Sequence, residues 1–328
     1  MKKLILNSLN RRKFINILGV SLLGSAGYGS YQYLNKKLVK TSWNGQILNS
    51  PAKLEIHSYS KSQNLALVEK INSLAVNFDN IFNLQNTKSE IVSLNQNKVL
   101  QNPSKSILDV INKAELISKE TNGAFDITVQ PLWEFYHKHF IEKGILNPPL
   151  IKDIKEVTKK IDWKNVKVDG SSIYLLNNAS ITLNGIAQGW ITDQIVKTLR
   201  ENKITNTLVD FGENYASGNF ENRRPWRIMI QGPNNITKTL HVSNKAVATS
   251  GGYGTAFEPS ARYNHIFNPK TGLSSNKYKA ASIVSDHAWL SDSLATSALL
   301  MPKNDLISLC NNLSVTAYLL EKDTFLKV

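Results

Sequence analysis

The chain has 328 residues, 41% of them hydrophobic and 20% charged, which is enough apolar material for a buried core and excludes disorder as the default. Its formal net charge is +14, but eight Lys and Arg and no Asp or Glu fall in residues 1–40. The body therefore lacks the dense basic stripe with interleaved aromatics that a nucleic-acid protein shows, and the lone Cys310 excludes both an intramolecular disulfide and a cysteine-rich metal site.

The N-terminus opens with Asn10-Arg11-Arg12-Lys13-Phe14-Ile15 and continues as an apolar, small-residue run to about Tyr28. A basic start before a short apolar core has the form of an export signal, and the paired arginines resemble a twin-arginine signal. The run is short for a span of about 20 residues. Ser25-Ala26-Gly27 is only a loose match to a cleavage site, so the segment reads as a signal or a retained anchor. No cysteine follows it, which excludes lipid attachment of that kind. Residues 1–40 are thus read as address and residues 41–328 as one domain. That places the protein in the periplasm or on the outer face of the cytoplasmic membrane, touching the membrane only through this segment.

Trp43 to Tyr59 reads as one or two strands, with polar–apolar alternation over Lys53-Leu54-Glu55-Ile56-His57. Leu65–Phe82 has its apolar residues three and four apart and predicts an amphipathic helix; Ser106–Glu120 predicts another, closed at Gly123. A short charged helix or loop is expected over 151–161. Strands are expected at 173–176 and 180–183 around Asn177-Asn178, then a helix from Gly189 to Asn202. Further strands are predicted at 206–212, 226–231, 238–242, 246–252, 280–284 and 315–320, with a helix at 290–301. Strands and helices without strict alternation indicate an α+β fold.

Four stretches carry candidate chemistry. Gly123-Ala124-Phe125-Asp126 puts an acid beside a glycine turn, where it accepts a hydrogen bond from a ligand or simply closes the turn. Leu183-Asn184-Gly185-Ile186-Ala187-Gln188-Gly189-Trp190 runs from a predicted strand into a helix. Glycine there lets backbone approach a ligand, and the helix start offers N–H groups to a phosphate; tight packing explains the glycines equally well. Thr249-Ser250-Gly251-Gly252 supplies hydroxyls and N–H groups for an anionic oxygen. It is followed by His265-Ile266-Phe267-Asn268-Pro269-Lys270-Thr271-Gly272, whose histidine serves a ligand, a proton transfer or a structural hydrogen bond. Asp292 and Thr296 are four apart, so their oxygens share one helical face; with a backbone carbonyl they make an oxygen-only set suited to Mg²⁺.

The order and spacing of these stretches, together with Thr128-Val129-Gln130-Pro131-Leu132-Trp133, Asp193 and Leu208-Val209-Asp210-Phe211-Gly212, resemble the ApbE family of FAD:protein FMN transferases from about Trp43 to the C-terminus. The paired arginines and Trp43-Asn44-Gly45 resemble its exported, NosX-like branch. The resemblance implies a single flavin-transferase domain with a ligand cleft. FAD is its substrate, and its site is lined by Ala124, Phe125, Asp126, Thr182, Gln188, Thr249, Ser250, Gly251, His265 and Ile266. By the same resemblance Gly185, Asp292 and Thr296 would hold Mg²⁺, and the candidates for a base are Asp292 and His265. The implied partner is an acceptor flavoprotein, a membrane-associated electron-transfer subunit. Several positions depart from the family pattern: Leu48 and Gln85 stand where a Met and an aromatic or Asn are usual, and Glu213 where a second glycine is common. An FAD pyrophosphatase and a flavin-binding protein without turnover are the alternatives.

Overall fold

A computed structural model describes residues 38–328. The predicted export segment lies outside these residues except at its end, where β1 begins at Val39. The predicted first strand region is a tight hairpin, β1 (Val39–Ile47) and β2 (Ser50–Ser58), turned by Leu48 and Asn49 in the left-handed region. α1 (Lys61–Phe82) starts at Ser60, whose hydroxyl accepts the Gln63 N–H. α2 (Glu90–Asn97) is too short for its period to register in the sequence. After β3 (Val99–Gln101), α3 (Lys105–Glu120) is capped by Ser104.

The stretch from Gln130 to Glu142 is helical, with α4 (Gln130–His137) running into a wider turn at Lys138–Glu142. α5 spans Ile151–Thr158. The Asn177-Asn178 turn does not join two strands as predicted. β5 (Ser172–Leu175) pairs instead with β4 (Val166–Asp169) and β3, while residues 180–183 join no ladder. Their apolar side chains Ile181 and Leu183 are buried in the core, which produces the alternation but not the pairing. α6 (Ala187–Glu201), β6 (Asn206–Asp210), β7 (Asn214–Ser217), the ribbon β8 (Trp226–Gln231) and β9 (Thr237–Val242), and β10 (Lys245–Ser250) follow. The chain ends with β11 (Ala281–Ser285), α7 (Ala288–Ala298), α8 (Lys303–Leu313), β12 (Thr316–Glu321) and β13 (Thr324–Lys327).

Eight strands form one antiparallel sheet in the order β1-β2-β6-β7-β10-β11-β12-β13. Period-two alternation divides the central strands between two cores. In β10, Ala246 and Ala248 face the main core with α1, α6 and α7, whereas Val247 faces a smaller core under the β8–β9 ribbon with Trp226 and Phe325. A third cluster stacks Tyr136 between Phe140, Phe257 and Phe267 and ties α4 and α5 to the 257–267 loop; the Tyr136 hydroxyl donates to the Gly272 carbonyl at 2.9 Å. Small residues on β10 and α7 let the helix lie close on the sheet, and this contact positions the site.

Candidate active site

The site forms where α6 and α7 pack side by side. Neither helix has a local side-chain cap: Ile186 precedes α6 and His287 precedes α7, and neither offers one. Helix starts leave N–H groups without partners, and burying them unpaired is costly. Each helix is capped by the other. Asp193 of α6 accepts from the Ala288 and Trp289 N–H groups at 2.9 and 3.1 Å. Asp292 of α7 accepts from the Gly189 N–H at 3.0 Å through Oδ2. Gly189 is the contact point, because a Cβ there would meet the Ala288 carbonyl and lie 2.8 Å from Asp292 Cβ.

This diverted hydrogen bond has a local consequence. In a continuing α-helix the Gly189 N–H would bond the Gly185 carbonyl. Here Asp292 takes that N–H, and among the described residues the Gly185 carbonyl accepts no hydrogen bond. Gly185 lies against Thr296 and Phe125, a Cβ at Gly185 falling 3.4 Å from Thr296 Oγ1 and 3.4 Å from the Phe125 ring. Thr296 Oγ1 is 3.2 Å from the Ser250 hydroxyl at the end of β10. Asp292, Thr296, Gly185, Phe125 and Ser250, spread over 172 positions of sequence, thus meet at one seam.

The carboxylates here are desolvated. Burial pushes Asp292 up to about 7, against the Gly189 hydrogen bond that opposes it. Glu213 is raised well above the usual carboxylate range by burial first, then by the charges of Asp292 and Asp210, with the Thr249 N–H opposing. Burial also raises Asp193. Between the ordinary value of 3.8 and about 7 the folded chain therefore binds a proton at Asp292 that the unfolded chain does not. Stability of the cation-free protein should fall as pH rises through that window. Chemical melts across it should show the slope, and Asp292→Asn should reduce it, the part that remains coming from the other buried carboxyls, Glu213, Asp193 and Asp126.

The other predicted positions fall around this seam. Thr182 donates its N–H to the Ile127 carbonyl at 2.8 Å, so 182–185 and 124–127 form one wall. The Asp126 carboxylate is occupied by the chain itself, accepting from the Thr128 N–H and hydroxyl and the Trp163 N–H; burial nonetheless raises it to about 6. Gln188 lies over Gly212, whose φ of +94° and lack of Cβ make room for the amide. The Thr249 hydroxyl is 2.8 Å from that of Ser282, and Gly251 packs against Tyr253. Ile266 is core. His265 hangs on the loop after β10: its Nδ1 is 3.1 Å from the Thr255 carbonyl, to which it donates, so Nε2 carries the lone pair. Burial lowers its pKa and keeps it neutral. Its contacts are with Thr255 and Gly254, not with Asp292.

A cavity of about 580 Å³ is lined by Ala124, Asn268, Lys270, Met301 and Pro302 among others. It shares Ala124 with the predicted site but none of Gly185, Asp292 or Thr296, so the side-chain geometry defines the site better than the cavity does. The departures Leu48 and Gln85 are neighbours: Asn49 donates to Gln85 Oε1 at 2.9 Å. Sequence reasoning passed over Glu213 as a site member and Asp193 as a cap, since burial and a partner 95 residues away leave no local signal. Asp193→Ala leaves two N–H groups unpaired under α7 and should cost about 1–3 kcal/mol, measurable as a lowered thermal midpoint.

An antiparallel sheet backed by reciprocally capped helices gathers hard oxygen donors at the helix junction. The ApbE family model matches residues 42–319, and the chain belongs to the ApbE family. It is 26% identical over 247 residues to a Haemophilus influenzae FAD:protein FMN transferase, covering 71% of each chain, and 25% identical over 255 residues to that of Escherichia coli K12, covering 73% of this chain and 69% of the relative. Its fold matches the flavin transferase ApbE from Vibrio cholerae with a TM-score of 0.76 at 21% identity, over 89% of this chain and 97% of that one. The ApbE protein of Thermotoga maritima gives 0.76 at 24% identity over 88% and 97%.

Proposed function

We propose that this protein transfers FMN from FAD to a Ser or Thr hydroxyl of an acceptor protein with Mg²⁺ as cofactor. The observation that carries the reading is the junction of Asp292, Thr296 and the unpartnered Gly185 carbonyl, in a family whose relatives bear that activity as their name. The residues fit the cation: a carboxylate, a hydroxyl and a carbonyl are hard oxygen donors, and the repulsion between buried Asp292 and Glu213 is what a divalent cation relieves. Among the described residues no three His, Cys, Asp or Glu side chains cluster as a metal site, so the set rests on mixed oxygens. When bound, Mg²⁺ supplies charge neutralisation to the FAD pyrophosphate.

In the transfer a bond forms between the acceptor oxygen and the FMN-side phosphorus, and the bond from that phosphorus to the AMP phosphate oxygen breaks. AMP leaves with the electron pair, and the hydroxyl proton passes to a base. His265 Nε2, kept neutral and with its lone pair outward from the Thr255 bond, suits that role. Ser250 and the N–H groups after it offer donors to phosphate oxygens. The export-like N-terminus supports a periplasmic location and an acceptor in a membrane-associated electron-transfer subunit. The full chain, incubated with FAD, Mg²⁺ and such an acceptor domain, should leave a flavin-fluorescent acceptor band on a denaturing gel that EDTA abolishes. A dark band with free FMN and AMP would instead establish the pyrophosphatase.

A further inference from the structure

Among the described residues, five of the sixteen exposed large hydrophobic side chains lie within eleven residues: Ile141, Ile145, Leu146, Leu150 and Ile151, with Leu146 72% exposed. That concentration is not the single scattering normal for a soluble surface. The segment is built rather than loose. The Asn147 carbonyl is 2.7 Å from His139 Nε2, and the Ile145 N–H donates to the His139 carbonyl at 3.2 Å, so the run from Ile141 closes back on the end of α4. Pro148 and Pro149 then stiffen the entry to α5. The apolar side chains are held out at little ordering cost.

Around them the charge is positive. Lys138, Lys143, Lys152, Lys155, Lys159 and Lys160 are all exposed, against Glu142, Asp153 and Glu156; Glu156 is already paired to Lys159 and Glu142 faces His137. The composition discriminates between partners. Protein interfaces are depleted in Lys and anchored by Trp, Tyr and Arg. Residues 138–160 contain none of the three. Protruding aliphatic side chains rimmed by lysines instead match shallow insertion into a bilayer, with ammonium groups at the level of lipid phosphates.

We infer that the Ile141–Ile151 loop docks the folded domain onto an anionic lipid surface, separately from the N-terminal segment and independently of flavin transfer. The buried Cys310, 3% exposed, makes a site-specific test direct. Leu146→Cys in the full chain is labelled with a polarity-sensitive fluorophore and mixed with vesicles of phosphatidylcholine alone or with phosphatidylglycerol; Met229→Cys, 61% exposed on β8, is the control. The emission at 146 should shift to the blue with anionic vesicles, and binding by that signal should be at least roughly tenfold stronger than with neutral ones. The signal at 229 should not move. Lys152→Glu with Lys155→Glu should weaken the shift. A probe at 146 that stays in water while the protein pellets with the vesicles overturns the inference. So does an equal shift at both sites, or a shift only with an acidic protein.

Discussion

Asp292→Asn should lower flavin transfer by roughly 10²- to 10³-fold while the protein stays folded. The side chain has two separable jobs. Its Oδ2 accepts the Gly189 N–H and caps α6, which an asparagine oxygen can still do. Its charge, in a desolvated pocket near Glu213, is what the proposed cation would bind, and the amide removes it. At neutral pH the thermal midpoint should be unchanged or higher, since a buried carboxyl whose pKa sits at about 7 costs stability when it ionises. Asp292→Ala removes both jobs and should cost a further 1–3 kcal/mol or about that from the unpaired N–H. Gel fluorescence of the acceptor, alongside melts of both variants, separates the two roles. Metal-dependent transfer near the original rate in the Asn variant would sink the assignment of Asp292.

The second large effect is expected at Gly189. In an isolated helix, alanine is favoured over glycine by about 1 kcal/mol. Here the new methyl would press on the Ala288 carbonyl and sit 2.8 Å from Asp292 Cβ. The first obstacle is backbone, which cannot rotate away. Overpacking of this kind costs about 1–3 kcal/mol, and it outweighs the propensity gain. Because the clash separates α6 from α7, it also shifts Asp292 and Thr296 against Gly185. Displacement of reacting groups by about 1 Å is worth on the order of 10² in rate. Gly189→Ala should therefore both lower the melting midpoint and reduce transfer. A variant as stable and as active as the parent would show that the helix pair has slack the geometry denies.

Much of the fold was legible in the chain. The helices α1 and α3 announce themselves through apolar residues three and four apart, and their predicted ends fall within a few residues of the observed ones. The Asn-Asn turn was misread because burial alone gives Ile181 and Leu183 the alternation of a strand without a ladder partner. Helices α2, α4 and α8 and the strands β3, β4, β7 and β13 were not anticipated. The helices are short or weakly patterned, and strands of three or four residues carry too few side chains to show a period.

At the site, residue types and spacing were enough to bring forward Asp292 with Thr296, the Gly185–Gly189 stretch and Thr249-Ser250, because a four-residue step on a helix and glycines at a helix start are local facts. Which carboxylate caps which helix was decided only in three dimensions. Asp193 and Asp292 each satisfy donors about a hundred residues away, and that exchange frees the Gly185 carbonyl. The same holds for Glu213, an unremarkable acid after a turn until the sheet and α7 close over it. Periodicity and turn chemistry are written along the chain. Desolvation and hydrogen bonds between distant segments exist only once the helices are packed, and they set the charge and the open valences on which the proposed chemistry depends.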